Sequence, residues 1–128
     1  MRVKVTVVDA SAVSAVLFGE PGAVKVSAVL GEGILAAPAL IDYEVASVCR
    51  KKIGMHPELR ESLLSSFRLL QRFSVDRYGI DAEEVILLSG KTGLSVYDAS
   101  YLWLARALRA ELVTLDRRLA SASRRVLR

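Results

Sequence analysis

Asparagine is absent from this chain of 128 residues, and glutamine occurs once, as Gln71. Depletion of these heat-labile amides fits a thermophilic source. Cysteine is equally scarce. Cys49 stands alone, which excludes an intramolecular disulfide and any cysteine-rich zinc site. It lies in an apolar-periodic segment and is expected to be a small core residue. The single histidine, His56, precedes Pro57 at a helix start and is expected to face solvent rather than bind a metal. No apolar run reaches the roughly 18 to 20 residues of a membrane span, so no membrane partner is expected. No basic segment followed by a long apolar stretch marks the N-terminus, so no signal peptide is expected. With one unpaired thiol, a reducing, cytoplasmic location fits.

Apolar residues, by contrast, make up 52% of the chain, enough to cover a sheet on both faces. The net charge is +4 and the pI about 9.5, compatible with a polyanionic partner. The cations are clustered. Arg117, Arg118, Arg124, Arg125 and Arg128 crowd the end of the chain, and Arg50, Lys51 and Lys52 form a second run.

Strand and helix patterns alternate along the chain. Val3 to Val8 is a β-branched run of the kind that forms a buried strand. A helix is expected from Ser11 to Leu17, capped by Ser11, and another from Gly22 to Leu30 with Val24 and Ala28 inward. Glu20 and Glu32 fall in turns. Ile34 to Ala37 reads as a second strand, and Pro38 opens a helix from Ala39 to Lys52 that Gly54 stops. Pro57 to Arg72 is periodic as one helix, and Phe73 to Val75 as a third short strand followed by a loop at Asp76. Asp81 and Glu84 are spaced as a capping box before the next helix. Asp98 to Arg109 is the most apolar helix and belongs at the centre. Glu111 to Leu115 is the last strand, Arg117 to Ala122 a short helix, and Val126 and Leu127 an edge strand. Buried strands alternating with helices predict an α/β fold, a three-layer α/β/α sandwich around a mainly parallel sheet. Without repeat or linker, residues 1–128 read as one domain.

Most of the 14 acids are explained as caps, turns or helix surfaces. Asp9, Glu44, Asp98 and Asp116 are not. Asp9 and Asp116 each follow a buried strand and should share one rim of a parallel sheet. Helices begin at the rim where strands end, so Glu44 and Asp98 can join them. Asp42, two residues from Glu44, competes for its place, but only one of the two can face the crevice. Clustered carboxylates repel unless a cation neutralises them. With no His or Cys in the set, Mg²⁺ or Mn²⁺ fits better than Zn²⁺, and an acid-held divalent ion in a basic protein suggests phosphate chemistry. Thr114, two before Asp116, could orient a carboxylate or a water, and Ser11 could do the same.

At this point the chain resembles the PIN domain, and in particular the VapC-type toxin ribonucleases of prokaryotic toxin–antitoxin pairs. The resemblance rests on VVDAS with Asp9 and Ser11, IDYE with Glu44, YDASYLWLA with Asp98, and LVTLDRRL with Thr114 and Asp116, in that order. It implies a PIN-like sandwich and a Mg²⁺- or Mn²⁺-dependent endoribonuclease. It also implies a homodimer, and inhibition by a small VapB-like antitoxin. It makes Asp9, Glu44, Asp98 and Asp116 the acidic quartet, with Thr114 as polar companion. Asp9, Asp98 and Asp116 would then hold the metal, and Glu44 would bind it or position a water. Arg117, Arg118, Lys51 and Lys52 could contact RNA phosphates. An antitoxin helix could lie in a groove of Val13 to Leu17 and Ala23 to Leu30, and the dimer could form through residues 81–94 and 98–109. Two alternatives remain at this stage. A haloacid-dehalogenase-like phosphatase needs a second Asp where Ser11 stands. A receiver-like cation-binding module needs adjacent acids that Asp9 lacks.

Overall fold

The computed structural model describes residues 3–31 and 33–127; the turn expected at Glu32 and the tail position of Arg128 lie outside them. Among the described residues a sheet of β1 (Val5–Val8), β2 (Ile34–Pro38), β3 (Val75–Tyr78) and β4 (Glu111–Val113) runs in the order β3-β2-β1-β4. Every pairing is parallel, with Val7 opposite both Ala36 and Leu112. Thr6, Val7 and Val8 are fully buried, as a central strand covered on both faces must be.

Among the described residues seven helices cover the sheet: α1 (Ala10–Phe18), α2 (Ala23–Leu30), α3 (Ile41–Met55), α4 (Arg60–Arg68), α5 (Ala82–Thr92), α6 (Val96–Leu108) and α7 (Arg117–Val126). Helices α1 to α4 pack among themselves as one group. Helices α5, α6 and α7 form the other, with α6 lying on β1 and β2. This is the expected α/β/α sandwich. Helix α6 is central, burying Tyr101, Leu102, Leu104 and Ala105. Cys49 is buried, and His56 is exposed beside Glu58.

Chain order reverses at β1. From it the chain steps outward to β2 and β3, then returns to β1's other edge with β4. In open parallel sheets the crevice beyond the carboxyl ends of the strands at such a reversal is the usual ligand site. Here that crevice lies between the ends of β1 and β4, where Asp9 and Asp116 follow.

Several boundaries differ from the sequence patterns, each for a local reason. Asp9 rather than Ser11 caps α1, its carboxylate accepting from the Ala12 N–H. Pro38 closes β2 opposite Tyr78 instead of opening a helix, because a proline at a strand end forfeits no needed donor. Helix α3 therefore starts at Ile41 and runs through Gly54 to Met55. The 57–72 segment tightens into 3-10 turns on either side of α4. The third strand lies later, at Val75–Tyr78, and takes in Asp76. Helix α6 starts at Val96 under a Ser95 cap. In α2, Val26 faces the core while Val24 is 87% exposed. Strand β4 ends at Val113, and α7 continues to Val126, so no edge strand forms at Val126 and Leu127. Leu119 and Ala122 are buried in α7, and that inward face carries the helix past Ala122.

Candidate active site

Four helices start at one rim, and each carries a carboxylate in its cap or first turn. Asp9 caps α1 and Asp116 caps α7, each accepting from the N–H three residues on. Glu44 lies in the first turn of α3, not two turns in, and Asp98 in the first turn of α6. A helix N-terminus carries partial positive charge, so each backbone offsets part of the repulsion among the acids.

Asp9 is held most firmly. It is 4% exposed. Its Oδ1 accepts from the Ser11 hydroxyl at 2.7 Å and from the Ala12 N–H at 3.0 Å, and its Oδ2 accepts from the Thr114 hydroxyl at 2.5 Å. A carboxylate has about four lone-pair directions, so one on Oδ2 is left over. The same hydroxyls pin the loop after β4. Ser11 Oγ accepts from the Leu115 N–H at 2.9 Å, and Thr114 Oγ1 from the Asp116 N–H at 3.0 Å. Each hydroxyl has a single proton, and both are given to Asp9. Thr114 therefore orients the carboxylate and has no proton left for a water. Its closeness to Asp116 comes from this turn and not from a shared strand face, since both residues lie beyond β4.

The acids sense one another. Burial pushes the Asp9 carboxyl above its ordinary 3.8, against the pull of bonds from Thr114, Ala12 and Ser11, and the charge of Asp98 adds to the rise. Burial also raises Asp98 from 3.8, with the Asp116 charge next; Ser95 and the Arg118 charge oppose it. Burial raises Glu44 from 4.5, with Asp98 and Asp9 adding, while the Tyr101 hydroxyl pulls it down. That hydroxyl donates to Glu44 Oε1 at 2.6 Å. Tyr101 is 1% exposed; burial first, then Glu44, push its pKa far upward. It stays a neutral donor that steadies Glu44 from the opposite helix group. Sequence reasoning missed Tyr101, although its position three residues after Asp98 puts both on one face of α6.

Asp42 turns away into a bidentate pair with Arg77, both contacts 2.8 Å, which leaves the crevice to Glu44. The cations are divided. Lys52 is spent on structure, 2.8 Å from Glu20 and 5.7 Å from the centre of the Phe18 ring. Arg118 donates to the Gly93 carbonyl at 2.8 Å and lends positive charge to Asp98. Arg117 and Arg118 line a groove of about 260 Å³ along α7. Lys51 is exposed and lines a cleft with Glu44.

Among the described residues, no three carboxylates close into a ready cage of direct ligands. The donor set nevertheless suits a small hard ion. All its donors are oxygens, the acids are mutually repulsive, and Asp9 Oδ2 keeps a lone pair. Mg²⁺ is commonly held by one or two carboxylates with the rest of its shell water.

Comparison with known proteins agrees with this architecture. A family model described as the PIN domain matches residues 6–125. The VapC ribonuclease Mb0985 of Mycobacterium bovis is 36% identical over 117 residues, covering 89% of this chain and 87% of that protein. Ribonuclease VapC3 of Pyrobaculum aerophilum is 30% identical over 119 residues, covering 89% and 91%. The crystal structure of PAE2754 from Pyrobaculum aerophilum shares the fold, with a TM-score of 0.74 at 24% identity, over 97% of this chain and 93% of that one. These matches set aside the phosphatase and receiver alternatives; Ser11, where the phosphatase needs an acid, is a brace for Asp9. Match and architecture together place this chain in the PIN domain family, among its VapC-type members.

Proposed function

We infer that this chain is a VapC-type ribonuclease, the nuclease of a toxin–antitoxin system, and that it cuts RNA phosphodiesters with Mg²⁺ or Mn²⁺. The observation that carries the reading is the gathering of Asp9, Glu44, Asp98 and Asp116 at four helix starts around the β1–β4 reversal. Asp9, Asp98 and Asp116 would hold the ion, with Glu44 near enough to share it. A divalent ion bound there would supply an activated water and charge neutralisation at the phosphate. The chain's own residues do the rest. Ser11, Ala12 and Thr114 fix the Asp9 carboxylate. Tyr101 occupies one oxygen of Glu44 and leaves the other to orient water. Arg117, Arg118 and Lys51 are placed to meet phosphates flanking the cut, whereas Lys52 already has its partner in Glu20.

Replacing Asp9 by Asn keeps the α1 cap and removes the charge. Asp9→Asn should lose at least a hundredfold in RNA cleavage with Mn²⁺ while melting as a folded protein. Undiminished cleavage by the purified variant would sink the assignment.

A homodimer and a VapB-like antitoxin belong to the same reading. Helix α5 leaves Ile86 59% and Leu87 67% exposed, an apolar face suited to a second copy. Most of α1 is core, so an antitoxin helix would find mainly α2 and a small groove beside Val16, Ser27 and Leu30. Sedimentation at micromolar concentration should give a dimer that Leu87→Glu dissociates; a wild-type monomer would remove the dimer from the reading.

A further inference from the structure

Helices α6 and α7 start at the acid rim and end at the opposite rim of the sheet, beside the first residues of β4. Between those ends lies a cavity of about 700 Å³, within the size range of small-ligand sites. Its cations are Arg106 and Arg109 from the end of α6 and Arg124 from α7, and Ser123 joins them on the wall. Ala110, Leu112 and Leu127 give it an apolar floor. At about 1.5 Å per residue, Arg109 lies roughly 16 Å from Asp98 along the α6 axis, so the cavity is separate from the acid site.

A cation in the last turn of a helix offsets the negative end of its dipole, which accounts for Arg106 and Arg124. It does not account for Arg109. That residue follows the last turn and closes α6 in the left-handed conformation, at φ 52° and ψ 46°. Glycine takes such a position without strain. Arg109 is the one non-glycine residue with positive φ among the described residues, and strain of this kind gathers at ligand clamps. Among the described residues the Arg106 and Arg109 guanidiniums have no hydrogen-bond or ion-pair partner. Glu111, the acid lining the cavity, lies 3.7 Å from Lys4.

We propose that this cavity binds a nucleotide by its phosphates, with Arg106, Arg109 and Arg124 on the phosphates and the base on the apolar floor. Guanidinium forks match phosphate oxygens two at a time, and inorganic phosphate alone would leave the floor uncovered. A free mononucleotide and the terminal nucleotide of an RNA chain share this chemistry. The inference holds whether or not the acids cut RNA.

The test is calorimetric titration of the full-length protein in EDTA, which keeps divalent ions from the acids. ADP should bind saturably and at least about tenfold more tightly than inorganic pyrophosphate, and adenosine should not bind. Arg106→Gln and Arg109→Gly should each weaken ADP binding about tenfold or more, and Arg109→Lys, which keeps the charge without the fork, should also weaken it. Arg109→Gly should at the same time raise Tm, because glycine relieves the left-handed cap; its loss of binding then cannot come from a loss of fold. A short RNA with a terminal phosphate that displaces ADP, where the same RNA with hydroxyl ends does not, makes an RNA end the source. Displacement by neither makes the source a free nucleotide. Equal displacement by both would overturn the proposal, since a cationic surface and not a nucleotide cavity would then be at work. So would the absence of saturable binding up to about 1 mM ADP, equal affinity for ADP and either pyrophosphate or adenosine, or wild-type affinity in Arg106→Gln or Arg109→Gly. A lower Tm in Arg109→Gly would overturn it as well, by making Arg109 a support of the fold.

Discussion

Glu44 depends on a neighbour that no strand-end pattern reveals. Its Oε1 is held by the buried Tyr101 hydroxyl at 2.6 Å, and a bond to an ionised acceptor is worth about 1.5–3 kcal/mol. That bond draws the Glu44 pKa down against the rise caused by burial and by Asp98 and Asp9. Tyr101→Phe removes it, so the Glu44 carboxyl should titrate higher still. The acid limb of the pH–rate profile should move to higher pH, with a several-fold loss of kcat at neutral pH. An unmoved acid limb would mean that Glu44 does not titrate in the rate-limiting step. Asp9, Asp98 and Asp116 were legible because a carboxylate after a buried strand, or at the start of an apolar helix, has no packing purpose. Glu44 was legible only in company, since Asp42 fits the same pattern and only the Arg77 pair tells them apart. Tyr101 was not legible, because a tyrosine inside an apolar helix looks like core until its hydroxyl has a named acceptor.

Elements place these residues through their ends more than through their middles. Periodicity found six of the seven helices among the described residues with starts within two residues, and the 57–72 pattern held α4, which starts three residues later than that pattern. Those shifts decide the chemistry. Moving the α3 start from Ala39 to Ile41 brings Glu44 into the first turn, within reach of the positive helix end. Short polar residues were the better guide: Asp81 caps α5 as its spacing predicted. The parallel order of the strands followed from alternation, yet the edge strand at Val126 failed because two apolar residues suit a helix face as well as a strand. Strand docking has its own sensitive point. Gly33 enters β2 with φ of 71°, and a Cβ there would lie 2.1 Å from the Lys4 carbonyl oxygen. That oxygen accepts from the Ile34 N–H, so it cannot withdraw without loosening the β1–β2 ladder. Gly33→Ala should destabilise the protein by about 2 kcal/mol or more, read as a lower midpoint in urea. A midpoint unchanged from wild type would show that the entry to β2 is more compliant than its geometry.

For the molecule as a whole, the acid cluster works against stability at neutral pH. Asp9, Glu44 and Asp98 have carboxyls raised from 3.8, 4.5 and 3.8, so the folded protein holds their protons more tightly than the unfolded chain does. Their contribution to stability is complete below those ordinary values and is lost as pH rises through the raised ones. Asp98→Asn should therefore raise Tm at pH 7 and leave it nearly unchanged near about pH 3, where the acid is protonated in both states. Mg²⁺ or Mn²⁺ should likewise raise the wild-type Tm at pH 7 and lose that effect in acid. A Tm indifferent to both changes would mean the carboxylates do not share one field. The β1–β4 pairing carries a consequence of another kind, one of timing. Thr114 meets Asp9 across 105 residues of sequence, and contacts that distant form late because the loop must close first. A chain still emerging from the ribosome has its first acid long before its last. Until the residues after β4 arrive, Asp9 has Ser11 but not Thr114 to hold it, and the rim lacks Asp116. A nuclease built this way has no complete acid site until the residues after β4 have been made.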